Sequence, residues 1–255
     1  MIDIESLLHT ILSVKKLLTL SNIWKKLIYF YNYYFSSPFR VVIFGCSGTG
    51  KSQFVKTITE EIDYITSRTR IPQKERIILE NGKKIEFIDT PGHQTLDQAR
   101  RDLCLEFKKK KIKRIFNIVN YGYNEVDNIS SELSVFRAGT YEVKQEFLKD
   151  NRKLEINQLS EWMSFVTSDT KIKWVVTIIN KADIWYENRE MVMKYYEEGD
   201  YFNKIMSLRS CCHLYTFEFC SIINPFFNKP MQIVFGDREK KKLFDCFKDN
   251  LMKLV

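Results

Sequence analysis

The chain has 255 residues, 44% of them hydrophobic, and a formal net charge of +8, which suits one compact domain with a full core. No uncharged apolar stretch reaches about 18 residues, so a membrane-spanning helix is not expected, and acidic Asp3 and Glu5 occupy what should be the basic start of a signal peptide. The six cysteines lack paired C-x-x-C spacing, which indicates reduced thiols and a cytoplasmic location.

Residues 1–36 are strongly periodic and predict an N-terminal amphipathic helical segment. The apolar face of its first part would point away from the apolar face that begins at Ile23, so a break is expected near Ser21 and Asn22. The segment could cover the chain's own core, hold a protein partner, or lie on an anionic membrane as a peripheral contact. Four lysines lie among its apolar residues and suit the membrane alternative: Lys15, Lys16, Lys25 and Lys26.

A short strand and a glycine-rich loop follow. RVVIF (Arg40 to Phe44) is typical of a buried parallel strand. The next residues fit the pattern G-x-x-x-x-G-K-[ST], whose backbone N–H groups surround a phosphate chain ahead of a helix. Lys51 would reach the β and γ oxygens, and Ser52 would take a Mg²⁺ position. The residues expected to bind phosphate are Gly45, Cys46, Ser47, Gly48, Thr49, Gly50, Lys51 and Ser52.

The next predicted element is an antiparallel hairpin that leads into an acidic residue. RIILE (Arg76 to Glu80) and KIEFID (Lys84 to Asp89) are joined by Asn81-Gly82, a strong hairpin signal because both residues tolerate positive φ. Asp89 could hold Mg²⁺ through water. Gly92, three residues later, could bring a backbone N–H close to the γ-phosphate.

The middle of the chain contains a predicted insertion. RIFNIV (Arg114 to Val119) predicts a strand, whereas residues 121–150 lack a clean period and indicate an extended loop with a short helix. A helix is expected over Asn151 to Val166. The basic runs Lys108 to Arg114 and Arg238 to Lys242 are interpreted as a helix end and a solvated face. No nucleic-acid module accompanies them, so nucleic acid is not an expected partner.

A base-recognition motif follows the apolar run WVVTII (Trp174 to Ile179). In NKAD, the Asp183 carboxylate could accept hydrogen bonds from the N1–H and exocyclic amine of guanine, a donor pair that adenine lacks. Asn180 and the stem of Lys181 would join this loop to the phosphate loop and cover the ring. In isolation the motif could be a strand-to-helix turn with Asp183 as the helix N-cap. Its position behind the other two motifs predicts guanine recognition.

With GCSGTGKS, DTPGH and NKAD in this order, the chain from Phe39 to Val255 resembles the G domain of translation-factor-related GTPases. The resemblance implies an α/β P-loop G domain over residues 37–255, with a mainly parallel sheet, one antiparallel edge hairpin, helices on both faces, and an insertion at about 121–150. It implies a Mg²⁺-dependent enzyme that hydrolyses GTP to GDP and phosphate as a molecular switch. The alternative is a GTP-gated protein-interaction adaptor with negligible intrinsic hydrolysis.

The resemblance also implies two residues near the γ-phosphate. A switch threonine that binds Mg²⁺ would be Thr69 or Thr66, and Thr69 is preferred on its spacing to Asp89. His93 stands where elongation factors place a histidine that orients the attacking water. The alternative for His93 is a surface histidine beside a loop.

Two positions depart from the family pattern. The small-residue motif whose backbone N–H caps the guanine oxygen is best matched by Ser221 and Ile222, although Ile222 stands where alanine is usual. Gly48 replaces the acidic residue of elongation factors and the asparagine of potassium-stimulated relatives, which removes the expected ligand for a monovalent cation. The irregular small-residue motif, together with the lack of an arginine three residues before Thr69, favours dependence on a protein effector or activator.

Overall fold

The computed structural model describes residues 21–59, 73–79, 81–90, 105, 109, 112–124, 135–137, 142–164, 172–207, 213–221 and 235–254. Six strands form one sheet in the order β2-β3-β1-β4-β5-β6. The strands are β1 Phe39–Phe44, β2 Gln73–Ile78, β3 Lys84–Asp89, β4 Arg114–Val119, β5 Trp174–Ile179 and β6 His213–Glu218. The described helices are α1 at residues 21–35, α2 Lys51–Thr59, α3 Gln145–Ser164, α4 Ala182–Trp185, α5 Arg189–Glu198, α6 Asp200–Ser207 and α7 Asp237–Leu254, with a 3₁₀ turn at Tyr186–Asn188.

The sheet is mainly parallel. Strand β1 pairs with β4, β4 with β5, and β5 with β6, each in parallel, and the hairpin of β2 and β3 provides one antiparallel pair. All six residues of β5 and five of the six in β4 are buried, as expected for strands covered on both faces. The predicted fold class, a P-loop G domain, is therefore confirmed.

The described chain divides into two compact units. One contains α1 and the hairpin segment 76–86, and the other contains residues 40–75 and 87–254. The second unit carries an aromatic core in which the rings of Phe116, Phe219 and Phe247 meet Phe54 edge to face. Because Phe54 belongs to α2, this packing fixes the helix that follows the glycine-rich loop.

The hairpin turn differs in detail from the prediction. Leu79 N donates to Lys83 O at 2.8 Å. The hydrogen bond that closes the turn therefore encloses three residues, 80–82, and not Asn81 and Gly82 alone. Of these two residues only Gly82 has a positive φ, +78°. Asn81 Oδ1 accepts the backbone N–H of Lys83 at 3.1 Å, a local contact that satisfies the backbone without a left-handed asparagine.

Helix α3 begins at Gln145, earlier than the predicted start at Asn151. Its first turns are anchored by Leu148, which is buried and whose carbonyl lies against Gly122. The end of the predicted insertion, residues 145–150, therefore belongs to α3, whereas residues 125–134 and 138–141 lie outside the described residues. A bridge between Phe136 and Val143 precedes α3.

Among the described helices, none combines the length and apolarity needed to cross a bilayer. The predicted break between two N-terminal helices falls at the limit of the described residues, because residues 1–20 lie outside them.

Candidate nucleotide-binding site

The glycine-rich loop joins β1 to α2 and folds tightly around one lysine. Lys51 Nζ donates to the carbonyls of Gly45 and Cys46, each at 2.8 Å. Gly45 has φ +138°, and a Cβ at this position would lie 2.2 Å from Ile118 O. Phe54 N donates to Gly50 O at 2.8 Å as α2 begins. Glycine at position 45 is therefore required both by the backbone conformation and by the close approach of β4.

Burial controls the charges in this loop. The ammonium of Lys51 is buried, which lowers its pKa, while the nearby Asp89 carboxylate opposes that shift. Burial, followed by the charge of Glu155, raises the pKa of the Cys46 thiol to about 12. Cys46 is therefore a neutral thiol at physiological pH, and the loop presents one positive side chain to an anionic ligand.

Two of the three predicted metal ligands, Ser52 and Asp89, lie together at the start of α2 and the end of β3. Ser52 Oγ donates to Asp89 Oδ2 at 2.5 Å, and these two residues line a small pocket with Glu75. Thr90 Oγ1 donates to Ile43 O at 2.6 Å and fixes the chain beside Asp89. Hydroxyl and carboxylate oxygens fit Mg²⁺, which commonly takes one or two protein ligands and completes its shell with phosphates and water.

Asn180 joins three separate parts of the sequence. Its Nδ2 donates to Thr49 O at 3.0 Å, and its Oδ1 accepts from the backbone N and the Oγ of Ser221, each at 3.1 Å. The fit is close, because a Cβ on Gly50 would lie 2.6 Å from Asn180 Nδ2. One buried side chain thus holds the phosphate loop, the NKAD loop and the segment after β6 in fixed proximity.

Asp183 lies buried in the first turn of α4 and contacts a thiol. Cys220 Sγ donates to Asp183 Oδ1 at 3.4 Å, and burial together with the charge of Asp183 raises the pKa of Cys220, which keeps the thiol protonated. The alternative in which Asp183 caps α4 is wrong, because the N-cap is Lys181 and no side chain caps the helix. The carboxylate therefore serves no capping role in this helix.

Lys181 adopts a left-handed backbone conformation, with φ 59° and ψ 42°. For a residue other than glycine this costs about 1–3 kcal/mol and persists only where the surroundings enforce it. Here Trp185 Nε1 donates to Asn180 O at 2.8 Å, and Lys181 Nζ donates to Tyr123 O at 3.0 Å. The stem of Lys181 is thereby held across the loop that follows β4.

That loop rests on a buried carboxylate that the sequence analysis missed. Glu155 Oε1 accepts the backbone N–H groups of Asn120 and Gly122, each at 3.1 Å. Its Oε2 accepts the Tyr196 hydroxyl at 2.6 Å, and that hydroxyl accepts Tyr121 N–H at 2.8 Å. Nothing in the local sequence around Glu155 signals this role, since it depends on how α3 and α5 pack.

Several predicted site residues lie outside the described residues: Thr66, Thr69, Gly92, His93 and Ile222. Their expected roles stay predictions. Of the motif after β6, Ser221 is described, and its backbone N–H donates to Asn180 Oδ1.

Comparison with solved structures finds distant similarity to several proteins. The chain is 14% identical to a structure of the mammalian SRP receptor, with a TM-score of 0.47, covering 72% of this chain and 92% of that one. A bacterial selenocysteine-specific elongation factor, EF-Sec, gives 13% identity and a TM-score of 0.49, covering 86% of this chain and 29% of that one. The signal recognition particle receptor SRb-GTP/SRX complex from Chaetomium thermophilum gives 12% identity and a TM-score of 0.49, covering 84% of this chain and 99% of that one.

No curated protein sequence matches the chain. The family model described as "50S ribosome-binding GTPase" matches residues 40–181, more than half of the chain. This match spans the glycine-rich loop, Asp89 and the first two residues of NKAD. The chain therefore belongs to this family of P-loop GTPases.

Proposed function

We propose that this protein binds GTP together with Mg²⁺, hydrolyses the nucleotide to GDP and phosphate, and acts as a molecular switch. The observation that carries the proposal is the Asn180 side chain, which bonds to both Thr49 and Ser221. A single nucleotide would contact both the phosphate loop and the base loop when they are held together in this way. Membership of the GTPase family also supports GTP binding and a switch function.

The base would be selected by Asp183. Its carboxylate is buried and accepts a weak hydrogen bond from the Cys220 thiol; in the proposed complex it would also accept hydrogen bonds from the N1–H and amine of guanine. Adenine would leave the buried carboxylate without those donors, a loss of about 1–3 kcal/mol or more for a charged group. Lys181, held by Tyr123, would lay its aliphatic stem along the ring.

The phosphates would be held at the other end of the site. Lys51 would turn its ammonium from the carbonyls of Gly45 and Cys46 toward the β and γ oxygens. Ser52 and Asp89 would hold Mg²⁺, with Thr69 as a further ligand. When bound, the ion neutralises the charge that develops on the transferring phosphoryl group. His93 would orient the attacking water.

The direct test measures nucleotide affinity and single-turnover hydrolysis on the purified chain. We expect GTP and GDP to bind with Mg²⁺ at least about a hundredfold more tightly than ATP, because several hydrogen bonds to a buried charge separate the bases. Asn180→Ala should weaken GTP binding, whereas Asn157→Ala, an exposed position on α3, is the matched control. Equal affinity for GTP and ATP would refute the proposal.

A second candidate, the GTP-gated adaptor with negligible intrinsic hydrolysis, is favoured by Gly48. This residue has φ +76° and contributes no side chain to the phosphate loop, so it offers no ligand for an activating cation. Hydrolysis that appears only when a protein activator from cell extract is added would select the adaptor. Measurable turnover by the purified chain would select the enzyme. A cytoplasmic location is part of either proposal.

A further inference from the structure

Helix α1 exposes a broad apolar stripe to solvent. The residues on this stripe that are more than half exposed include Ile23, Trp24, Leu27, Tyr31, Tyr34 and Phe35. At 100° per residue these side chains fall within a sector of about 120°, the width of a stripe that normally faces a protein core. We call these six residues the aromatic sector. An exposed apolar patch of this kind marks an interaction surface.

The opposite side of α1 contacts the hairpin of the same unit. Asn32 Nδ2 donates to Asn81 O at 2.8 Å, and the Lys84 ammonium lies 5.0 Å from the centre of the Tyr33 ring. Gly82 packs so closely that a Cβ would lie 2.4 Å from Tyr29 O. The hairpin therefore fixes which side of α1 faces outward, and the aromatic sector is the side that it leaves uncovered.

The charges on α1 are all positive. Lys25 and Lys26 are exposed and lie about 80° and 60° beyond the two edges of the aromatic sector. They share the helix side that contacts the hairpin but precede, along the helix, the residues that make those contacts. No aspartate or glutamate occurs between Ser21 and Ser36. Lysine is depleted from protein–protein interfaces, whereas lysines that flank a stripe rich in tyrosine and tryptophan are typical of helices lying in a lipid headgroup region.

We propose that the aromatic sector binds the surface of an anionic phospholipid bilayer. The apolar side chains would enter the boundary between headgroups and acyl chains. Lys25 and Lys26 would reach back to lipid phosphates, since long cationic side chains keep their charge at the interface while their stems cover apolar surface. The helix would lie in the plane of the membrane. This inference goes beyond the proposed GTPase activity and does not depend on it.

Tryptophan fluorescence provides a selective probe. Trp24 is 66% exposed, whereas the other three tryptophans, Trp162, Trp174 and Trp185, are at most 5% exposed. The full chain would be mixed with phosphatidylcholine vesicles that contain about 30 mol% phosphatidylserine, and with vesicles of phosphatidylcholine alone. With the anionic vesicles we expect a blue shift of the Trp24 emission and less quenching of that emission by acrylamide. Trp24→Phe should abolish the optical change while the chain still floats with the vesicles.

Paired variants separate the two contributions to binding. Lys25→Glu with Lys26→Glu should weaken partition to the anionic vesicles by roughly tenfold or more, at about 1 kcal/mol for each charge near the surface, and 0.5 M salt (roughly three times physiological) should do the same to wild type. Leu27→Ser with Tyr31→Ser should weaken partition comparably. These residues are exposed, so circular dichroism should show an unchanged fold.

A matched control uses exposed methionines elsewhere. Met191→Ser with Met206→Ser removes side chains that are 54% and 59% exposed and should leave vesicle binding unchanged. The proposal is overturned if wild type fails to bind anionic vesicles, or if Trp24 is already protected from acrylamide without lipid. If Trp24 is protected without lipid, sedimentation would identify what covers the aromatic sector: a second copy of the chain if the protein is dimeric, or residues 1–20 if it is monomeric.

Discussion

Replacing Glu155 by alanine tests whether the loop after β4 is held in place from beneath. The change removes the acceptor for the backbone N–H groups of Asn120 and Gly122 and for the hydroxyl of Tyr196. Each of these three buried donors left without a partner costs about 1–3 kcal/mol, so we expect a loss of at least about 3 kcal/mol in the free energy of unfolding. That loss is a large fraction of the net free energy of unfolding of a whole domain, which is typically about 5–15 kcal/mol.

The same change should weaken GTP binding. The loop presents Tyr123 O to Lys181 Nζ, so a displaced loop releases the lysine that would cover the guanine ring. Loss of one charge-assisted contact, at about 1.4 kcal/mol or more, corresponds to roughly tenfold in affinity. Glu155→Gln keeps an oxygen for the two backbone donors, and its effects on stability and affinity should be smaller. Urea unfolding and nucleotide titration measure the two quantities.

The pH dependence gives an independent test. Burial raises the pKa of Glu155 above its ordinary value, although the Tyr196 hydroxyl and two backbone N–H groups oppose the shift. A carboxyl with a raised folded-state pKa contributes stability that is fully present below the unfolded-state pKa and is lost as pH rises through the folded-state pKa. Wild type should therefore lose stability relative to Glu155→Gln as pH rises above about 4.5. Parallel pH profiles for the two proteins, or an alanine variant as stable as Asn157→Ala, would refute the reasoning.

Three further predictions concern the nucleotide. Asp183→Asn should weaken GTP binding and shift preference toward xanthosine nucleotides, whose 2-oxo group needs a donor; competition titration with both nucleotides measures this, and unchanged preference would contradict it. Lys51→Ala and Ser52→Ala should each impair binding of the Mg²⁺ nucleotide, since a counter-charge or a metal ligand is lost; tight binding by both variants would remove these assignments. His93→Ala should leave GTP affinity within about twofold while slowing single-turnover hydrolysis by roughly tenfold or more, whereas an unchanged rate would favour the surface-histidine alternative.

The strands and the phosphate loop could be predicted because their signals are local. Strands β1, β4 and β5 are largely buried, so each is rich in apolar residues with few polar interruptions. In the phosphate loop, the glycines and Lys51 are neighbours in sequence as well as in space. Local spacing was therefore enough to place a phosphate loop between a strand and a helix.

The supports of the site could not be predicted in this way. Asn180 meets Thr49 across 131 positions of sequence, and Glu155 meets Asn120 across 35. The sequence gives no signal for this buried glutamate, because two of its partners are backbone groups that every residue type carries and the third, Tyr196, is 41 positions away. The hydrogen bond from Trp185 Nε1 to Asn180 O joins residues only five positions apart. It could not be predicted either, because it depends on the left-handed backbone of Lys181.

The part of the site proposed to bind the base is held together by contacts within the protein that would not involve the γ-phosphate. Asn180 N donates to Val119 O, and Ala182 N donates to Phe219 O, so the loops after β4, β5 and β6 are fixed to one another by backbone bonds. GTP and GDP carry the same base, and this half would bind both with equal strength. A contact that is equal for two ligands cannot shift an equilibrium between two protein states. The switch proposed for this chain must therefore depend on the phosphate side, where the segments around Thr69 and Gly92 would meet the group that distinguishes GTP from GDP.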